Sequence, residues 1–303
     1  MTWQPLTPQP YQLGESPFWH PLEQLLYWVD IPGKQILRCN VFMGTIESWA
    51  MPSEPGCIAP AASGGLVIAL RDGVYRGRAW GGALVKLTAA DHDTTTTRFN
   101  DGKADPLGRF WAGTMFEPRT AAAAKLYTLG NAQLHPQISN ATIANGLAWS
   151  PDASTLFWAD TPTHAVRAWD WDAKANTLSN ERIFKQFPAK PADWKFGAPG
   201  FEHYGGRPDG AAVDVDGNYY VAMFEGARIC KLSPAGVELA SIAVPCQCPT
   251  MPCFGGDDLK TLYITTAHYQ RSAAELQAFP ESGCVFSMRV DVPGLPVNFY
   301  SGD

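Results

Sequence analysis

The sequence predicts an all-β fold, a six-bladed β-propeller. Three observations carry the prediction. The 303-residue chain holds 28 Gly and 25 Pro beside 36 aromatic residues, a profile of many tight turns between aromatic-rich strands. A unit recurs along it: a polar opener, a short apolar strand, a Pro/Asp/Gly/Asn turn and a second, aromatic strand. The openers fall near positions 15, 57, 100, 145, 209 and 254. Their steps of about 42–45 residues, one longer step aside, match the period of a four-stranded blade. Six units use up the chain, so residues 1–303 are expected to form a single domain. A β-sandwich with a helical domain is the alternative. Only Ser272 to Ala278 could form a short helix, and no period-3.6 pattern is sustained elsewhere.

The clearest copies are Gly14 to Asp30, Asn145 to Asp160 and Asp209 to Met223. Arg98 to Met115 fits the same frame. Cys57 to Leu70 and Phe254 to Thr265 are weaker copies. Trp19, Trp28, Trp111, Trp149 and Trp158 fall in the strands and are expected to pack between blades. The longer step contains the Pro/Gly-rich stretch from Phe187 to Gly200, read as an exposed insertion. Its Trp194 and Phe196, with Phe201 and Tyr204, could form a lid wall or pack on themselves. His203 and His268 could approach the channel mouth. Ring closure is expected to pair Tyr11 to Leu13 with Val285 to Val290, because a closed ring leaves no free edge.

Each blade's innermost strand lines the channel, so the openers converge on the axis. Glu15, Asn100, Asn145 and Asp209 bring two carboxylates and two amides, all able to offer oxygen. Asn145-Gly146 and Asp209-Gly210 alone would read as hairpin turns. A second turn, Pro151-Asp152 or Asp216-Gly217, already stands at the hairpin position, so the opener is redundant as a turn signal. An oxygen-only set suits a hard divalent cation and disfavours a structural zinc. Without a cation, Glu15 and Asp209 held close would repel and one would take up a proton.

Other chemistries find little support. Net charge is −6 with no basic stripe, which argues against nucleic acid and anionic membrane as partners. No apolar run approaches membrane-helix length, and the first residues carry no basic n-region or apolar h-region, so a soluble, cytoplasmic protein is expected. The seven cysteines suggest no disulfide framework. Cys246, Cys248 and Cys253 cluster, but no CxxC or nearby His completes a ligand set, so buried thiols are the favoured reading. The six histidines show no ligand spacing. There is no GxSxG, HExxH or GxxxxGK[ST].

The ordered set Gly14-Glu15-Ser16-Pro17 with Tyr27-Trp28-Val29-Asp30, Arg98-Phe99-Asn100-Asp101-Gly102-Lys103 with Gly113-Thr114-Met115, Asn145-Gly146-Leu147 and Arg207-Pro208-Asp209-Gly210 resembles the SMP-30/gluconolactonase (regucalcin-like) family. The resemblance covers essentially the whole chain. It implies a propeller with one catalytic divalent metal in the channel, drawn from Ca²⁺, Mn²⁺, Fe²⁺, Mg²⁺ or Zn²⁺. Glu15, Asn145 and Asp209 match its metal ligands, and Arg98 and Asn100 match substrate-contacting positions. Glu117 is the nearest candidate for a third such position. The implied activity is hydrolysis of a sugar aldonolactone, with Asp209 or Glu15 as proton acceptor. A phosphotriesterase-like hydrolase and a non-catalytic calcium-binding propeller are the alternatives.

Overall fold

The computed structural model describes residues 2–200 and 203–302. Six four-stranded antiparallel sheets follow one another along the chain. Their innermost strands are Gly14–His20, Pro55–Pro60, Thr97–Ala104, Ala144–Trp149, Arg207–Val213 and Pro249–Gly255. All but a few residues of these strands are buried, whereas the outermost strands alternate toward solvent, as in Thr45–Ala50 and Glu238–Ala243. The sixth inner strand starts at Pro249, so Phe254 lies near its end rather than opening it. The fully buried Pro249–Gly255 run hid that start, because it carries no polar opener except Thr250.

The redundant polar cluster has a structural cause. Every inner strand carries a register shift against its second strand: at Glu15/Phe18, Pro55/Cys57, Phe99/Gly102, Asn145/Ala148, Pro208/Ala211 and Pro249/Pro252. These are β-bulges, which bend the strand and re-aim side chains. The opener is therefore a bulge, and the hairpin turn comes later. In the third blade that turn is Asp105-Pro-Leu-Gly108. The buried Asp105 carboxylate accepts from Leu107 N, Arg109 N, Arg109 Nε and Trp111 Nε1 at 2.7–3.0 Å.

Packing between blades is aromatic. Trp19 stacks on Tyr263 across the first and sixth blades, 6.2 Å between centroids. Trp111 meets Trp149 edge-on at 5.7 Å across the third and fourth. The second blade has Gly56 at its bulge; a Cβ there would lie 2.4 Å from the Phe99 backbone, so the glycine lets two inner strands approach.

The ring closes through Gln4–Pro5, which pairs with Ser287 and Phe286. The C-terminal partner strand lies within the expected segment, but the N-terminal one does not. Tyr11 instead donates its N–H to Gly283 O, and Leu13 makes a lone bridge to Ala267 at the channel mouth. Three prolines in the first ten residues removed the alternation that would have marked the true closing strand. The C-terminal tail crosses the far end of the channel. Leu295 N bonds Val213 O, Asn298 Nδ2 bonds Ala104 O, and Tyr300 N bonds Pro60 O. The one α-helix among the described residues is Ala273–Ala278, capped by Ser272 Oγ accepting from Glu275 N. No helix among the described residues is long and apolar enough to cross a membrane.

Candidate active site

Four bulges set the geometry from the strand side. Glu15 and Asn145 are the last paired residues before their bulges; Asn100 and Asp209 are the first unpaired ones. The chain entering the first and fourth blades is held by an aspartate that ends the second strand. Asp30 Oδ1 accepts from Leu13 N at 3.0 Å, and Asp160 Oδ1 accepts from Ile143 N at 2.9 Å. Each clamp lies two residues before a candidate ligand, which explains why both aromatic strands end in Asp.

Glu15, Arg98, Asn100, Glu117, Asn145 and Asp209 line one cavity of about 470 Å³ at this end of the channel. The structure thus brings all six sequence-derived candidates together. It also shows how they are oriented. Thr161 Oγ donates to Pro208 O at 2.8 Å and accepts from Asn145 Nδ2 at 2.7 Å. A carbonyl can only accept, so the direction of both bonds is fixed and Asn145 Oδ1 is left for the axis. Asn100 Nδ2 donates to Ala144 O at 2.9 Å and to Asn145 Oδ1 at 3.1 Å. Asn100 Oδ1 accepts from Arg98 Nη1 at 2.8 Å. Asn100 therefore turns its nitrogen, not the expected oxygen, toward its neighbour, because the Arg98 guanidinium takes the oxygen.

Arg98 spends its donors on Phe99 O, Asn100 Oδ1 and Met115 Sδ, with Glu117 Oε1 3.7 Å from Nε. Glu117 in turn is held by both Nη atoms of Arg71 at 2.9 and 3.1 Å, and Arg71 Nε bonds Glu54. Two cations and two carboxylates thus form a balanced network on one wall of the cavity. Arg71 and Glu54 flank the second blade and gave no sequence signal; only the sheet topology brings them to the rim.

The floor crowds buried carboxylates together. Burial raises the proton affinity of Glu15 and Asp209 well above the carboxylate range, and nearby negative charge raises it further: Asp209 and Asp101 act on Glu15, and Asp101 acts on Asp209. Asp101 is also raised, chiefly by burial. Its Oδ2 accepts from Leu147 N at 2.9 Å, while its buried Oδ1 has no hydrogen-bond partner among the described residues. The Lys103 charge opposes that of Asp101; its Nζ donates to Ala211 O, and it lines a second cavity of about 260 Å³ at the far end of the channel. Three buried carboxylates are thus crowded at the floor, with Arg98, Lys103 and Arg207 as the cations acting on them, and a divalent cation bound there would favour their charged forms. The donor set fits such an ion as well: two carboxylates and an amide oxygen, all facing the cavity.

The described residues of the insertion do not line the cavity. Trp194 packs on Tyr204 at 5.5 Å and under Lys190, Phe196 packs on Phe279, and Tyr204 Oη bonds His164 Nε2. Phe201 lies outside the described residues. Phe224, Tyr269 and Gln270 line the cavity there instead, and neither His203 nor His268 does. The seven cysteines are free and buried, and burial raises the thiol proton affinity, to about 11 for Cys39 and about 12 for Cys253.

The SMP-30/gluconolactonase/LRE-like region profile matches residues 13–268. The chain belongs to this family. A 6-deoxy-6-sulfogluconolactonase of Pseudomonas putida is 39% identical over 97% of both chains. A regucalcin of Danio rerio is 33% identical over 96% of this chain and 95% of its own. Family structures superpose closely. A luciferin-regenerating enzyme shares 29% identity with a TM-score of 0.84, covering 99% and 98% of the two chains. A regucalcin of Agrobacterium tumefaciens, described as calcium-binding, has a TM-score of 0.89 at 23% identity, covers 99% and 97%, and shares the fold.

Proposed function

We propose that residues 1–303 act as one domain, a metal-dependent lactonase that hydrolyses a sugar aldonolactone to the aldonic acid. Gluconolactone, xylonolactone and arabinolactone are of the class it would accept. The observation that carries the reading is the floor of the cavity: Glu15, Asn145 and Asp209 line it together, and the crowding of buried carboxylates there raises the proton affinity of Glu15 and Asp209. Family relatives that act on sugar lactones support the substrate class, and calcium-binding relatives support a divalent ion. The balanced Arg71–Glu117–Arg98 wall favours an enzyme over an ion store, since a site that only holds a cation has no use for guanidinium groups at its rim.

Glu15, Asn145 and Asp209 would hold the ion. When bound, it would supply Lewis acidity toward the lactone carbonyl and toward water. Thr161 and Asn100 keep the Asn145 oxygen aimed at it. Glu117 accepts hydrogen bonds from ring hydroxyls, and the remaining Arg98 Nη2 hydrogen donates to the substrate. Asp209 takes the proton of the attacking water. Water adds to the carbonyl carbon, the ring C–O bond breaks, and the ring oxygen leaves as a hydroxyl after protonation. The product acid then ionises, releasing one proton.

That proton is the readout. A weakly buffered indicator assay over five- and six-carbon aldonolactones would be run on chelated protein, on protein given Mn²⁺, Fe²⁺, Ca²⁺, Mg²⁺ or Zn²⁺, and on Asp209→Ala. Turnover restored by metal and lost in Asp209→Ala supports the reading. No acceleration over spontaneous hydrolysis with any ion, despite stoichiometric metal binding, sinks it.

A further inference from the structure

The Glu117 carboxylate is gripped by one side chain. Glu117 stands one residue past the strand Phe110–Phe116, where no sheet ladder fixes it. Its Oε1 lies 3.7 Å from Arg98 Nε, beyond hydrogen-bond reach. Among the described residues, only Arg71 hydrogen-bonds the carboxylate. Nη1 donates to Oε2 at 2.9 Å and Nη2 to Oε1 at 3.1 Å. Such a two-pronged grip fixes both the place and the plane of the carboxylate.

Arg71 is itself braced. It stands one residue past Leu66–Leu70, in the neighbouring second blade. Its Nε donates to Glu54 Oε2 at 2.9 Å, and Nη1 also donates to Thr94 O at 3.0 Å. Glu54 immediately precedes the inner strand Pro55–Pro60. Four of the five guanidinium hydrogens are thus assigned. The chain Glu54–Arg71–Glu117 spans two blades and lines the cavity. Stability does not call for it. Its side chains are 21–35% exposed, and ion pairs open to solvent contribute little. What the chain does produce is a carboxylate with one geometry. Each Glu117 oxygen accepts once from Arg71 and has capacity for one more bond. Two such acceptors side by side suit two neighbouring hydroxyls of one ring.

We infer that Arg71 is a positioning residue of the lactonase, acting on substrate through Glu117 and braced by Glu54. The inference rests on the lactonase reading and deepens it. Arg71 sets whether Glu117 meets the ring hydroxyls in register. Charge alone does not suffice. A lysine would supply the same charge at one point and could not grip both oxygens in one plane.

The test is a double-mutant cycle on metal-loaded protein. Its readout is kcat/KM for the aldonolactone that wild type turns over fastest. Arg71→Lys keeps the charge and loses the fork. It is expected to lower kcat/KM about 10- to 100-fold, the worth of a hydrogen bond to a charged group. Glu117→Ala is expected to lose at least as much. In the Glu117→Ala background, Arg71→Lys is expected to have no further effect, because nothing is left to position. Affinity for Mn²⁺ or Ca²⁺, read by calorimetric titration, is expected to match wild type in Arg71→Lys. If Arg71→Lys does not fold, Glu54→Gln loosens the same guanidinium by weakening its brace. Its loss is expected to be smaller and also to vanish in the Glu117→Ala background. Losses that add in the double variant mean that Arg71 acts on substrate directly, and overturn the inference. Full activity in Arg71→Lys overturns it too, and so does a fall in metal affinity that accounts for the lost activity. Each of these outcomes spares the lactonase. No turnover of any aldonolactone by wild type, with any ion, overturns both.

Discussion

Asn100 Nδ2 donates to Asn145 Oδ1 over 3.1 Å, joining the inner strands of two neighbouring blades. The bond is one link of a chain with a fixed direction: Arg98 to Asn100, Asn100 to Asn145, Asn145 to Thr161, Thr161 to Pro208 O. It ends on a carbonyl and begins on a guanidinium, and neither can reverse its role. The amide that would hold the metal is therefore oriented from both sides before any ion arrives.

Thr161 is the test of that orientation. Thr161→Val keeps the shape and removes the hydroxyl, so Asn145 Nδ2 loses its acceptor and the amide can rotate. Metal affinity, read by calorimetric titration with Mn²⁺ or Ca²⁺, is expected to fall about 10- to 100-fold. Thr161→Ser is expected to recover most of it. Equal affinity in all three proteins would mean that Asn145 does not depend on this clamp, or does not bind the ion.

Lys103 should give effects of opposite sign on stability and on metal affinity. Its ammonium is the cation set against Asp101 and Glu15 in the channel, and it donates to Ala211 O. Lys103→Met removes positive charge near the ion and also leaves a buried carbonyl unpaired. Chelated protein is expected to lose about 1–3 kcal/mol of stability, measured by denaturant titration. Metal affinity is expected to rise, since one like charge is gone. A variant that loses both would show that Lys103 supports the site by packing rather than by charge.

Much of this site was legible because each polar opener broke a strand pattern that did not need it. Glu15, Asn145 and Asp209 were found that way, and Asp30 and Asp160 left a visible mark at the ends of two aromatic strands. Three kinds of information were not in the letters. Whether the axial residue precedes the bulge, as Glu15 does, or sits in it, as Asp209 does, is set by pairing register. The direction of the Asn100 amide depends on Arg98 reaching back over two residues. Arg71, Glu54 and Arg119 are brought to the cavity only by the ring. The closing strand escaped notice because two residues, one of them Pro5, are too few to show alternation.

The cysteines should be inert in the folded protein. All seven are buried, and the thiols of Cys39, Cys230 and Cys253 are pushed up to about 11, about 12 and about 12 by burial. A raised thiol pKa means the thiol form persists at pH 8. At a pKa of about 11 the reactive thiolate is on the order of one part in a thousand. Treatment of native protein with a chromogenic disulfide at pH 8 is expected to titrate fewer than one thiol, and all seven after denaturation. Fast reaction of one thiol in the native state would identify a local opening at that cysteine.

The closing strand should matter more than its two residues suggest. Gln4–Pro5 covers the edge of Phe286–Arg289, Leu6 N bonds Val285 O at 2.8 Å, and Thr7 Oγ accepts from Val285 N at 3.1 Å. Trp3 adds a bond from Nε1 to Ala243 O at 2.6 Å and packs on the core between the fifth and sixth blades. Deleting residues 1–7 removes these bonds together and bares a strand edge. The net loss is about 3–5 kcal/mol, which in a chain of this size lowers Tm by on the order of 10 °C. The bared edge should also drive concentration-dependent association in size-exclusion chromatography. Deletion of residues 1–2 alone leaves Trp3 and the strand in place and is the control. If the longer deletion melts and elutes like the full chain, the ring is held by inter-blade packing such as Trp19 on Tyr263, and the N-terminal strand is dispensable for closure.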